Sequence, residues 1–144
     1  MRLIPYYIII LFVTSSCISN TQNTPPLVNS WEEIETNAFN VKIQKSYEAG
    51  LEWVRKPELY ILNLFDLSNL KKISYEYKAD NIENPKNIEI TLIRDGFLDD
   101  SVRGDIQRIS LTKDKEGVWV VKTIKKSMSC WRTNKTTYSV NQCP

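Results

Sequence analysis

Apolar and polar residues alternate strictly along Lys72–Ala79, with Ile73, Tyr75, Tyr77 and Ala79 on one side and Lys72, Ser74, Glu76 and Lys78 on the other. A period of two is the mark of a strand with one buried face. Ile88, Ile90 and Leu92 alternate with Glu89 and Thr91 in a second strand, which the Asn84-Pro85 turn precedes and Asp95-Gly96 ends. A third runs from about Arg103 to Lys113; Ile109 and Leu111 share a face while Ile106 falls out of phase, a slip that predicts a bulge near Gly104. Lys115-Glu116-Gly117 turns the chain into a fourth strand, Val118–Lys126, apolar on both faces around Trp119. Short connections make an antiparallel meander the economical pairing.

The first half has another rhythm. Ser30-Trp31-Glu32-Glu33 has the form of a capping box and predicts a helix to about Asn37. Phe39 to Lys56 gives mixed signals, broken at Gly50 and at Lys56-Pro57. Pro57 suits a first helical turn and Glu58 complements its positive end. The run through Leu59, Ile61, Leu62 and Phe65 to about Leu67 is apolar almost all round and reads as a buried helix, with a strand as the alternative. Helices first and strands after give an α+β fold: one or two N-terminal helices packed on an antiparallel meander of about four strands.

The N-terminus does not belong to that domain. Met1-Arg2 is followed by an eleven-residue apolar run, Leu3 to Val13, and by small residues Thr14, Ser15 and Ser16. This is the layout of a secretory signal peptide over 1–16, and the run is shorter than the roughly 20 residues a membrane helix needs. The alternative is a buried N-terminal strand. Ile18 to Asn29 is uncharged and rich in Asn, Thr, Ser and Pro, the composition of a tether. The expected organisation is therefore signal peptide 1–16, attachment residue and tether 17–29, and a single domain 30–144.

Cysteine parity sharpens the picture. Thr14-Ser15-Ser16-Cys17 resembles the lipobox of bacterial lipoproteins, in which the Cys becomes the acylated first residue; Thr14 stands where Leu is usual, and ordinary cleavage after Ser16 is the alternative. Lipidation of Cys17, by palmitate or similar chains, removes the odd one of three cysteines. Several acyl chains, at about 0.8 kcal/mol per buried methylene, make a stable anchor. Cys130 and Cys143 then read as a structural disulfide closing a C-terminal loop, not as a redox or zinc pair.

Composition narrows the chemistry. With 42% hydrophobic and 25% charged residues among 144, the chain is globular and not disordered. Removing Arg2 leaves 18 basic against 17 acidic residues, which points away from nucleic acid. No histidine is present, which excludes His-based triads, His metal ligands and a histidine pH switch. No cofactor is expected.

The segment from Asp95 to Asp105 holds Asp95, Asp99, Asp100 and Asp105 and is the one candidate for a hard cation such as calcium. Its spacing is not that of an EF-hand, and turn capping by the Asp side chains, with Arg103 pairing one of them, is the plainer reading. Nothing sets two carboxylates across a cleft for glycoside hydrolysis. Arg103-Gly104-Asp105 spells an integrin-binding tripeptide at the mouth of a strand. The tryptophans could form a ligand platform, but Trp53 and Trp119 are expected in the core and Trp131 against the disulfide. Lys125-Lys126 reads as a solvated strand end. Asn134-Lys135-Thr136 fits a glycosylation sequon, relevant only in a eukaryotic host.

Asp99-Asp100-Ser101-Val102-Arg103-Gly104, then Gly117-Val118-Trp119-Val120-Val121, Cys130-Trp131 and Cys143, resemble a group of small uncharacterised bacterial secreted proteins and lipoproteins. Gly50-Leu51-Glu52-Trp53 with Pro57 matches an upstream element of that group. Where relatives carry a Gly-Arg-Gly-His stretch, this chain has Arg132-Thr133-Asn134-Lys135. The resemblance implies export, the disulfide and one domain, and implies no activity. The expectation is a non-enzymatic, lipid-anchored protein of the bacterial envelope, in the outer membrane if the host is Gram-negative, that binds an envelope partner or has a structural role. The alternative is a small secreted metal-binding or hydrolytic module using the loop 95–105.

Overall fold

The computed structural model describes residues 26–133, 137–141 and 143. The signal segment, Cys17, most of the tether and the sequon lie outside the described residues. Chain order is β1 (Leu27–Val28), β2 (Glu32–Ile34), α1 (Asn37–Glu48), two single 3-10 turns (Glu52–Arg55 and Pro57–Leu59), α2 (Tyr60–Leu64), β3 (Lys72–Ala79), β4 (Asn87–Asp95), β5 (Val102–Lys113), β6 (Trp119–Cys130) and β7 (Thr137–Tyr138). An antiparallel five-stranded sheet has the order β2-β6-β5-β4-β3, and β1 pairs with β7 in parallel beside it. The class is α+β, as expected, with the four-strand meander intact and the Cys130–Cys143 disulfide present.

One face of the sheet carries the core. Ile88, Ile90 and Leu92 of β4, Ile109 and Leu111 of β5, and Trp119, Val121 and Ile124 of β6 lie under Ile43, Trp53, Val54, Tyr60 and Ile61 from the helical segment. The β4 and β5 side chains come from the alternation that predicted those strands, while the irregularity between Ser110 and Leu111 brings Val121 and Ile124 of β6 to the same face. Removing this apolar area from water holds helices and sheet together. Two polar groups fix the helical layer in register. The Tyr60 hydroxyl sits 2.7 Å from the Val54 carbonyl and 2.6 Å from the Trp119 carbonyl, and its burial pushes the phenol pKa up. The Asn40 amide donates to the Val121 carbonyl at 2.9 Å and accepts from the Val121 N–H at 3.0 Å, which ties α1 to β6.

Several expectations need correction. The helices lie between β2 and β3 and are not the N-terminal elements. Ser30 opens no helix: its hydroxyl accepts the Val140 N–H at 3.0 Å, and Glu32–Ile34 pairs with β6, setting Ile34 against Ile124. Pairing with an open sheet edge outweighs a local capping signal. The tether ends sooner than Asn29, because Leu27–Val28 is already β1. The helix expected from Pro57 to Leu67 is a 3-10 turn and then five α residues, with Pro57 in its first turn. The bulge near Gly104 exists, between Val102 and Gly104, with a second irregularity at Ser110/Leu111. Ile106 is out of phase for a simpler reason: it points to the opposite face, where it is also buried.

Candidate functional site

The acid-rich segment does not gather its carboxylates. Asp95 and Asp105 close the β4–β5 hairpin, where Arg94 pairs with Asp105 and Asp95 with Gly104, so alternation sends the two acids to opposite faces. Asp99 spends Oδ1 on the turn, accepting from the N–H groups of Ser101 at 2.8 Å and Val102 at 2.6 Å, and these bonds hold its carboxyl below the usual range. Asp100 is exposed. Among the described residues, no group of three or more His, Cys, Asp or Glu is placed to hold a metal ion.

The motif residues instead build a structural knot. Arg103 is the extra residue of the bulge and reaches Asp95 with Nε 3.0 Å from Oδ1 and Nη2 3.0 Å from Oδ2. Its guanidinium and the Lys71 ammonium each lie 5.8 Å from the centre of the Trp131 ring. The Trp131 indole N–H donates to the Asp99 carbonyl at 2.8 Å, and its backbone N–H donates to the Ser101 carbonyl at 3.0 Å. Trp131 is thus held by these cations and carbonyls, where packing on the disulfide was expected. Gly104 lies so close to β4 that a Cβ there would overlap the Arg94 carbonyl. The Arg103-Gly104-Asp105 tripeptide therefore lies inside the sheet, with Asp105 fully buried, and presents no adhesive loop.

On the helix side, Asp105 anchors a polar cluster beyond the end of the apolar core. Arg94 donates from Nε at 2.9 Å and from Nη2 at 2.5 Å to the two Asp105 oxygens, Gln107 donates at 3.0 Å, and Lys126 Nζ stands 3.8 Å away. Arg94 Nη1 also donates to the Asp66 carbonyl at 3.1 Å, and its guanidinium lies 5.3 Å from the Phe97 ring centre. Lys126 is not a solvated strand end. It lies within β6, turned toward Asp105, and borders an open groove of about 550 Å³ with Ser68, Asn69, Phe97 and Met128.

On the opposite face lies a groove of about 560 Å³. Thr91, Ile93 and Asp95 of β4 line it together with Lys72, Ser74, Tyr75 and Glu76 of β3, and Pro26 and Tyr138 border it. Tyr138 comes from the strand that the Cys130–Cys143 bond holds near β6, and β6 also bridges to Ser139. Burial, with the Asp95 charge, pushes the Tyr138 phenol pKa up. The surface thus combines both charge signs, aromatic edges and the apolar Pro26 and Ile93, which can hold an extended polar chain.

Sequence reasoning found Asp95, Asp99, Asp105 and Arg103 but missed Arg94, Gln107, Lys126 and Tyr138. For Arg94 and Gln107 a signal was present. Arg94 continues the Ile88, Ile90, Leu92 parity, and Asp105 and Gln107 continue that of Ile109 and Leu111. A charge at the next core-facing position of two neighbouring strands announces a buried pair. No family model, curated protein or solved structure matches the chain.

Proposed function

We propose that the mature chain is a domain of the bacterial cell envelope, held at a membrane by lipid on Cys17, that works by binding a protein partner and not by catalysis. The Cys130–Cys143 disulfide carries this reading, because such staples form and persist in oxidising compartments. With that pair engaged, Cys17 is the remaining cysteine, and it follows a signal-like run. Pro26, nine residues after Cys17, borders the 560 Å³ groove. Nine residues reach at most about 30 Å, so an acyl anchor at Cys17 keeps that groove near the membrane surface.

Binding is favoured over hydrolysis by how the acids are engaged. Asp95 and Asp105 are each paired with an arginine, and Asp99 holds a turn. The test is fractionation of the native host. Wild-type protein is expected in the membrane pellet, released by detergent, and Cys17→Ala in the soluble fraction. Wild-type protein found free of membranes would contradict the anchor and leave a secreted protein.

A further inference from the structure

The five-stranded sheet ends at β3, and among the described residues no strand pairs the outer edge of β3. All eight residues of β3 pair with β4 without a bulge, and none is proline. Natural sheets blunt such an edge with proline, bulges or charged side chains, because a row of free N–H and C=O groups invites another strand. On β3 that protection is left to Lys72, Glu76 and Lys78. The Asp80 N–H donates to the Asn87 carbonyl at 3.1 Å. Ladder alternation from that bond turns the even residues toward β4 and leaves the main chain of Ile73, Tyr75 and Tyr77 facing outward. Ile73 and Tyr75 are also 37% and 48% exposed, a high value for a strand's apolar face.

We propose that the occupant of this edge is a second copy of the chain, with the two β3 strands antiparallel about a two-fold axis at Ser74. The charges select that register. Parallel in-register pairing sets Lys72 on Lys72 and Glu76 on Glu76. Antiparallel pairing about Tyr75 sets Lys72 against Lys78, and about Glu76 sets that acid against itself. An axis at Tyr77 matches Glu76 with Lys78 but leaves Ile73 opposite Asn81. Only the axis at Ser74 places Lys72 opposite Glu76 twice and Ile73 opposite Tyr75 twice. The contact is isologous, as closed dimers require. Lys72, Ser74 and Glu76 line the outer groove, so the pairing sets the grooves of the two copies side by side.

The register can be trapped. Opposed Cα atoms in a non-hydrogen-bonded antiparallel pair lie about 4.5 Å apart, within disulfide reach. Full-length Ser74→Cys protein in intact host cells, oxidised with copper phenanthroline, is expected to run at twice the monomer mass and to return to monomer on reduction. Lys78→Cys lies on the same face, but its mate is roughly 27 Å away at ~3.4 Å per residue, and it is expected to stay monomeric. Adding Glu76→Lys to Ser74→Cys should lower the dimer yield, and adding Lys72→Glu as well should restore it. The proposal is overturned by equal yields at the two cysteine positions, by an adduct of Ser74→Cys with a different protein, or by a yield indifferent to both charge changes. Added oxidant keeps the result independent of the compartment argument.

Discussion

Replacing Asp105 by Ala is the sharpest perturbation of this fold. Asp105 is fully buried and accepts from Arg94 Nε at 2.9 Å, Arg94 Nη2 at 2.5 Å and Gln107 Nε2 at 3.0 Å, with Lys126 Nζ at 3.8 Å. Without the carboxylate, Arg94 keeps, among the described residues, the Asp66 carbonyl and the Phe97 ring, although its side chain is only 14% exposed. Breaking a buried pair from one side costs about 3–5 kcal/mol, and the partial exposure of Arg94 and Lys126 favours the lower end. For a domain stable by about 5–15 kcal/mol, that is a large fraction. Urea unfolding followed by tryptophan fluorescence reads it directly, since Trp53 and Trp119 are buried. With a slope of about 1.5 kcal/mol per molar, the midpoint falls by about 2 M. The double variant Arg94→Met/Asp105→Leu removes both charges and should lose less than Asp105→Ala alone. A midpoint shift below about 0.5 M for Asp105→Ala, or a double variant worse than the single, would refute the argument.

Gly104→Ala should destabilise by about 1–3 kcal/mol or more, because its Cβ would overlap the Arg94 carbonyl and stand 3.1 Å from Asp95 Cα, both backbone atoms of β4; thermal melting checks this. Cys143→Ser opens a loop of sequence separation 13 and should cost roughly 3 kcal/mol. Beyond that global loss, hydrogen exchange should quicken most at the Asn29 and Ser139 amides, which bond Tyr138 and Met128 beside the opened loop. Stability against pH should show a plateau with two edges. Asp66, Asp80 and Asp99 are lowered by hydrogen bonds, so the stability they add is full above about pH 4–5 and is lost as pH falls through their folded values. Burial raises Tyr77 to about 12 and also raises Tyr60 and Tyr138, so their contribution is full below pH 10 and is lost as pH rises above it. With no histidine present, a step in melting temperature between about pH 6 and 7.5 would contradict this assignment.

The meander was legible because β3 and β4 alternate strictly, β4 burying Ile88, Ile90 and Leu92 under the helices, and period two survives in the sequence when one face is wet or polar. β5, buried on both faces at Asp105 and Ile106, keeps the pattern only at Ile109 and Leu111. The elements that were missed lack such a pattern. Ile43 is the only residue of α1 that is fully buried, so its apolar stripe is too thin to read, and the helix is fixed by the Asn40 amide instead. Three-residue β2 is too short for alternation and exists because the edge of β6 is there to receive it. The Asp99-to-Asp105 motif was legible as unusual but not as structural. Its purpose depends on which face each acid takes, and the bulge at Arg103 decides that. Tyr138 left no signal, since the disulfide and the parallel pairing with β1 bring it to the groove from a distant part of the chain.

The intact mass of the protein, purified from its own membranes with free thiols blocked, bears most directly on the claim of an exported, lipid-anchored domain. The expected species begins at Cys17, carries added acyl mass, and lacks two hydrogens at Cys130 and Cys143. A chain without acyl mass would contradict the anchor and make the protein a secreted one. Blocked thiols on Cys130 and Cys143 would contradict the disulfide, and the compartment argument would fall with it.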